Sequence, residues 1–541
     1  MTVKKLLPTI PHRTTHSLWS VKKIMLPISD TIRHESFYYK QSGVSTIQKQ
    51  LFLQNGLILG VTAIINRTVG MVFRIFLGNT IGSEGLGLYQ LALSVYLVFL
   101  TVSASGISLC TTRMYADHAA AGQLGKAQRS VEKCMAFSFA FGLILCVILL
   151  ITAEPIAVFL LREERTVPAL FMLAPSLPFM AVSSAVRGYF LARRKTLPTS
   201  GEQLLEQFLE IAVFAAVFAL HQPADLAEAC CMAVTGTTAA EMISFVYALL
   251  CYLHDKKKLC VTGERVSGLF RSALPIFLPV SANACLRSGL SAAENALIPM
   301  GLQRFGLSSS AALAQYGIIS GMTLTVLVFP SVVILPFASL LIPEIAEARI
   351  SLRTNSIRHI SEKMIRLTLQ YALPVMVIFL FYGIPLCRLL FGNDDAGKYL
   401  TMLAPVIPFM YLDSVVDAIL KGLDRQTDYF IFNTIDSVIR VLLTVLLLPF
   451  FGIAGVIAVI VISELLNTLL SLGRLMHITE LRLPLFKSVV LPVFAAVLPC
   501  LLLQPFCHIG SESFNLIFRL VLSCTGCFLL LWSHKKICRT E

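Results

Sequence analysis

From residue 57 onward the chain is a succession of fourteen apolar stretches, near 57–78, 86–111, 134–153, 167–192, 203–221, 227–253, 272–298, 311–342, 366–387, 399–420, 428–450, 453–473, 486–505 and 514–533. A helix needs about 20 mostly apolar residues to cross a bilayer. In lipid every backbone N–H and C=O must be satisfied inside the spanning structure, which for separate apolar runs of this length means helices. Composition agrees: 56% of residues are hydrophobic, 14% are charged and the mean hydropathy is +0.77, against roughly 25% charged residues in soluble domains. The expected fold is an all-α polytopic membrane protein with about fourteen transmembrane helices. Soluble enzymes and nucleic-acid modules are excluded for the chain as a whole.

The net charge of +13 is then a topology signal, because loops on the cytoplasmic side of a membrane carry the excess of Lys and Arg. With the N-terminus inside and the sides alternating, 33 of the 44 Lys and Arg fall inside. Five fall outside (Arg162, Arg165, Arg304, Arg388, Lys398) and six lie within spans (Arg67, Arg74, Arg187, Arg287, Arg440, Arg519). Both termini are therefore expected to be cytoplasmic, in a cell membrane. Residues 1–50 carry eight Lys and Arg and read as a basic cytoplasmic tail, mobile or lying on anionic lipid. The fourteen cysteines are scattered and read as small hydrophobes. The ten histidines form no ligand cluster, so no metal is expected. No Walker, H-E-x-x-H or G-x-S-x-G motif appears, which leaves ATP hydrolysis and hydrolase chemistry without support. No cofactor is expected; a coupling ion, proton or sodium, stays open.

The chain repeats itself. Residues 171–180 read FMLAPSLPFM and residues 401–410 read TMLAPVIPFM, seven of ten identical at an offset of 230. The same offset carries Gln203 onto Asn433, Glu206 onto Asp436 and Glu210 onto Arg440. Six crossings separate the two copies, so the halves share one orientation, and parallel repeats place substrate at their interface. The boundaries expected are an N-terminal six-helix lobe at 51–255, a basic cytoplasmic linker at 256–271, a C-terminal six-helix lobe at 272–475, and two extra helices with a cytoplasmic C-terminus at 476–541.

Charges inside spans cost about 3 kcal/mol each at mid-bilayer on insertion scales, so they must line a wet cavity, pair, or snorkel. Arg67 and Arg74 are seven apart and share a helix face beside Asn66. Asn283, Arg287, Ser291 and Glu294 form a stripe on span 7, the repeat equivalent of span 1. Both stripes are expected to line a central cavity. Asp413, Asp417 and Lys421 step by four along span 10, and Asp436 and Arg440 by four along span 11, so each set can pair internally. Arg187, near the cytoplasmic end of span 4, and Glu206 and Glu210, early in span 5, read as pairs locking a hairpin. Glu241 and Glu464 are single acids with no partner visible in the sequence. The basic stretch 343–363 reads as an interfacial helix.

NRTVGMVFRIFLGNTIGSEGLGLYQ (66–90) and SAVRGYFLARRKTLPTSGEQLLEQ (184–207), together with the fourteen-span layout, resemble the stage V sporulation protein B group of polysaccharide and lipid-linked oligosaccharide transporters. That group is related to the MurJ-type peptidoglycan-precursor flippases, in the superfamily that also holds the MATE drug exporters. The resemblance covers about residues 50–535. It implies two lobes around a V-shaped cavity, and a polyprenyl-pyrophosphate-linked saccharide or peptidoglycan precursor moved from the cytoplasmic to the outer leaflet. The setting would be cell-wall, spore-cortex or exopolysaccharide biogenesis. It also implies a cavity arginine at Arg67, since Arg67-Thr68-Val69-Gly70 matches an R-x-x-G motif of the MurJ type; Arg74 falls near a second such arginine at a different spacing. The expected partners are the bilayer and that lipid substrate, with no nucleic acid, and the protein is expected to be a monomer. Independently, a pyrophosphate wants fixed cationic donors with bidentate geometry. The alternative, a MATE-like cation-coupled antiporter for drugs or organic cations, wants an acid-dominated cavity. Spans 1 and 7 carry three arginines against one acid, Glu294, which favours an anionic headgroup.

Overall fold

The computed structural model describes residues 46–259, 269–481, 486–503 and 512–540. The tail to residue 45 and residues 260–268 of the expected linker lie outside the described residues. The chain divides into two compact units, Met1–Gln54 and Asn55–Glu541.

Among the described residues the structure is helical, with turns and no strand. The first half comprises α1 (Thr46–Ala120), α2 (Leu124–Pro155), α3 (Val167–Leu173), α4 (Leu177–Ala192), α5 (Leu197–Leu220) and α6 (Leu226–Leu259). The second comprises α7 (Leu269–Phe305), α8 (Ser309–Tyr316), α9 (Leu324–Val328), α10 (Leu335–Ile350), α11 (Thr354–Phe391), α12 (Asp394–Leu403), α13 (Ile407–Gly422) and α14 (Gln426–Thr479), followed by α15 (Leu491–Leu503) and α16 (Glu512–Thr540). Nine helices among the described residues are long and apolar enough to cross a membrane. Two of them, α1 and α14, each contain two helices joined at a glycine in a non-helical conformation, Gly82 (φ 73°) and Gly452 (φ 55°). Positive φ is open to glycine at little cost, so these positions turn the chain without a loop. Large apolar side chains such as Ile151, Phe159 and Phe450 are 69%, 82% and 76% exposed. Exposure on that scale fits a surface that meets lipid rather than water.

The repeat seen in the sequence is also built into the backbone. Spans 4 and 10 are each broken by a single 3₁₀ turn, Ala174–Ser176 and Ala404–Val406, where a proline removes a backbone donor. The helices that follow, α4 and α13, are both 16 residues long. Left-handed residues recur at the same offset of 230: Gly122 and Leu352, Arg162 and Gly392, Arg194 and Asp424. Each pair closes equivalent helix ends, so the turns repeat even where the side chain does not favour positive φ.

The stretch 343–363 is not one continuous helix: α10 runs through it to Ile350, Leu352 turns left-handed, and α11 starts at Thr354.

Candidate functional site

The two halves meet along α1. Arg74 Nη1 donates to Thr325 Oγ1 on α9 at 3.0 Å, which ties span 1 of the first half to the second. Arg67 is exposed on the same helix, within electrostatic reach of Arg74 and of Tyr411 on α13. Tyr411 is fixed by donating its hydroxyl proton to Leu327 O at 3.1 Å. The expected face of span 1 thus exists, and it looks toward residues of the second half. Beyond Gly82 the halves are fastened again. Glu84 accepts from Arg165 Nη1 at 2.8 Å and from Ser310 Oγ at 2.5 Å, and Arg165 Nε also donates to Glu163 at 2.6 Å. Backbones touch here, since a Cβ on Gly317 would lie 2.0 Å from Ser83 O and one on Gly87 2.3 Å from Leu313 O.

Between α1, α4 and α5 lies a polar cavity of about 220 Å³ lined by Asn66, Arg187, Gln203, Glu206, Gln207 and Glu210. Helix α1 can approach α5 here because residue 70 is glycine, whose Cβ position is only 3.3 Å from Gln207 Oε1. Glu210 accepts from Thr237 Oγ1 at 2.8 Å and from Gln207 Nε2 at 3.0 Å. Arg187 does not lock the hairpin through Glu206 or Glu210 as the sequence suggested. Its Nε donates to Glu202 Oε1 at 3.2 Å, one turn earlier, because Glu202 is 1% exposed and cannot be left unpaired. Glu206 and Glu210 face the cavity instead. Glu241, without a visible partner in the sequence, accepts a hydrogen bond from Tyr96 at 2.5 Å, and the same hydroxyl lies 2.6 Å from Ser176 Oγ.

In the second half, Arg440 gathers carboxylates from three helical segments: Asp436 at 3.2 Å, Glu464 at 3.3 Å and Glu294 at 3.7 Å. The i, i+4 pair was legible; Glu294 and Glu464 were not, because they reach Arg440 from other helices. Glu294, expected in the substrate cavity, is engaged in this cluster. Arg287 is exposed, donates to Tyr429 OH at 3.0 Å and stacks 5.7 Å from that ring. Lys421, expected to pair along its own helix, places its ammonium 3.9 Å from the same ring centre. Asp413 and Asp417 each keep a buried carboxylate oxygen without a hydrogen-bond partner. Asn283 is exposed beside Arg287 on α7. Arg67 and Arg74 are electrostatic neighbours on α1, whereas Arg287 is held by Tyr429. No group of three or more His, Cys, Asp or Glu suited to a metal ion occurs among the described residues.

Residues 52–287 match the model of the family described as polysaccharide biosynthesis protein. Stage V sporulation protein B of Bacillus subtilis (strain 168) is 26% identical over 430 residues, covering 78% of this chain and 83% of that protein. The chain is similar to this family over its first half and to that protein over most of its length. Lipid II flippase MurJ of the same organism is 22% identical over 436 residues, covering 75% of this chain and 79% of that protein. Among solved structures, lipid II flippase MurJ in an inward closed conformation superposes with a TM-score of 0.67 at 13% identity, covering 89% of this chain and all of that one. At that identity the superposition establishes the fold alone.

Proposed function

We propose that this protein is a flippase that carries a polyprenyl-pyrophosphate-linked saccharide or peptidoglycan precursor from the cytoplasmic to the outer leaflet. The match of residues 52–287 to the polysaccharide biosynthesis family and the likeness to stage V sporulation protein B and lipid II flippase MurJ support the reading. The observation that carries it is local: Arg67 and Arg74 share one face of span 1, and Arg74 bonds across to Thr325 of the other half. Two guanidiniums on one helix face at the junction of the two lobes, one of them held by Thr325, can hold a pyrophosphate bidentately, while the polyprenyl tail stays in lipid. The lobes are residues 51–255 and 272–475 joined by 256–271, both termini are cytoplasmic, and the working unit is the monomer. Arg287, held against Tyr429, is the third cationic group assigned to the cavity between the lobes.

Glu206 and Glu210 in the cavity are the observation favouring the second reading, a cation-coupled antiporter of the MATE kind. The test is depletion of the protein in its own cell while the leaflet distribution of lipid-linked precursors is measured. Accumulation of precursor in the cytoplasmic leaflet supports the flippase. Unchanged precursor with altered efflux of organic cations supports the antiporter.

A further inference from the structure

Three sulfur side chains meet between the second and third spans. Cys110 and Met114 are four apart on α1, so they share one face of that helix. Cys134 reaches them from α2. The Cys110 thiol donates to Met114 Sδ at 3.6 Å, and the Cys110 and Cys134 thiols are hydrogen-bonded to each other. All three side chains are buried and form a small cluster of their own, and both cysteines are free thiols. Cys110 lies ten residues before the end of α1 at Ala120, and Cys134 ten residues after the start of α2 at Leu124. Both therefore sit about 15 Å from the turn that joins the helices, at equal depth in the hairpin.

The surroundings hold the sulfurs in place. Thr112 donates across to Gly188 O on α4 at 2.9 Å. A Cβ on Gly188 would lie 2.4 Å from Ser108 O, so α4 closes directly onto the α1 backbone beside Cys110. Thr111 donates to Ile107 O at 2.9 Å and also contacts the Cys134 thiol. On α2, Ser138 donates to Cys134 O at 2.6 Å. Packing alone asks only for apolar bulk here; the spacing of the sulfurs offers more. A bond from a thiolate to a first-row metal is about 2.3 Å long, so three sulfurs in a plane around one ion lie about 4 Å apart. The 3.6 Å between Cys110 Sγ and Met114 Sδ is already close to that. Two thiols and a thioether select a soft ion, Cu(I) first. Zinc takes four ligands in a structural site, and a thioether suits it poorly.

We propose that Cys110, Met114 and Cys134 form a trigonal binding site for one Cu(I) ion. Binding makes two copper–thiolate bonds and one copper–thioether bond, breaks two S–H bonds and releases two protons to water; the oxidation state of the metal does not change. The complex carries one net negative charge. On the turn side of the site, Arg113 and Lys133 stand three and one residues from Cys110 and Cys134 to offset it. Both helices belong to the first half, so a bound ion pins spans 2 and 3 to each other without bridging the halves. The inference goes beyond the flippase reading and does not rest on it.

The experiment uses the full chain purified in detergent, reduced and kept under nitrogen. It is titrated with Cu(I) held by the coloured chelator bicinchoninate, whose absorbance falls as the protein takes the metal. The chain holds other cysteines, so each result is read as a difference between proteins. The native protein should take up one equivalent more than Cys110→Ala or Cys134→Ala. Met114→Leu, close in volume and with both thiols intact, should keep that equivalent at an affinity lowered several-fold. Copper-edge X-ray absorption at one equivalent should show three sulfur neighbours in the native protein and two in Met114→Leu. Equal uptake by the native protein and both cysteine variants would place the copper elsewhere. An affinity and sulfur count unchanged in Met114→Leu would remove the thioether from the site. A Cys110–Cys134 disulfide in protein alkylated directly from cells would make the pair a redox bond rather than a metal site. Any of these three results overturns the proposal. Should the cysteine variants fail to accumulate, Met114→Leu decides alone, through its affinity and its sulfur count.

Discussion

At the scale of single residues, what was legible were charges whose partners lie on the same helix. Asp436 and Arg440 are four apart and do pair, at 3.2 Å. Partners on other helices were not legible: nothing in the spacing links Glu464 or Glu294 to Arg440, or Tyr96 to Glu241. Glu202 escaped notice because it stands among polar residues at the start of α5, yet it is 1% exposed and takes the bond from Arg187. The Tyr96–Glu241–Ser176 contact gives a direct test of buried polar satisfaction. Tyr96→Phe removes the donor at 2.5 Å from Glu241 and should cost about 1–3 kcal/mol, the penalty of an unsatisfied buried group. A thermal melt of the purified variant reads it, and a melting temperature equal to the native one would contradict the assignment. Arg67→Lys should retain more transport than Arg67→Ala, because charge survives although bidentate geometry does not. Equal loss in both would point to geometry alone.

At the scale of elements, the positions of the apolar stretches were readable because lipid imposes length. The breaks inside them were readable only where sequence repeats. The APS and APV turns announce themselves through the matched segments at 171–180 and 401–410. The turns at Gly122 and Leu352 do not, since a leucine at φ 53° carries no compositional signal. The same limit misplaced the stretch 343–363, where amphipathic periodicity runs across a turn that only the backbone reveals. Close approach of elements yields the next prediction. Gly317 lies so near Ser83 that an added methyl would sit 2.0 Å from its carbonyl oxygen. Gly317→Ala should push α8 away from the turn at Gly82, with a cost of about 1–3 kcal/mol typical of overpacking, borne by the closed arrangement of that end. Cysteines placed at 84 and 310, where the native side-chain ends meet, should be bridged readily by a short bifunctional thiol reagent in the native background and poorly beside Gly317→Ala. Equal cross-linking would show that the contact yields without opening.

At the scale of the whole molecule, the parallel repeat and the positive-charge bias together specify an orientation. A single cysteine introduced at residue 304 or 398 should react with an impermeant thiol reagent from outside intact cells, in a background where the native cysteines are replaced. Labelling only after permeabilisation would invert the topology. Two halves of one orientation, fastened at Glu84 and bridged by Arg74, suit a carrier that opens alternately to each side around a site between them. That arrangement predicts that transport suffers far more than folding when these charges are lost, because Arg67 is exposed and Arg74, only partly buried, contributes one hydrogen bond between the halves. The most direct measurement is flipping by purified protein in proteoliposomes. A labelled polyprenyl-pyrophosphate disaccharide is supplied in both leaflets, and the fraction reached by an impermeant modifying enzyme is followed over time. The native protein should raise that fraction from about half toward completion, and Arg67→Ala with Arg74→Ala, inserted in equal amount, should leave it near half. Native protein that leaves half the lipid protected, or a double variant that flips as fast as native, would contradict the account.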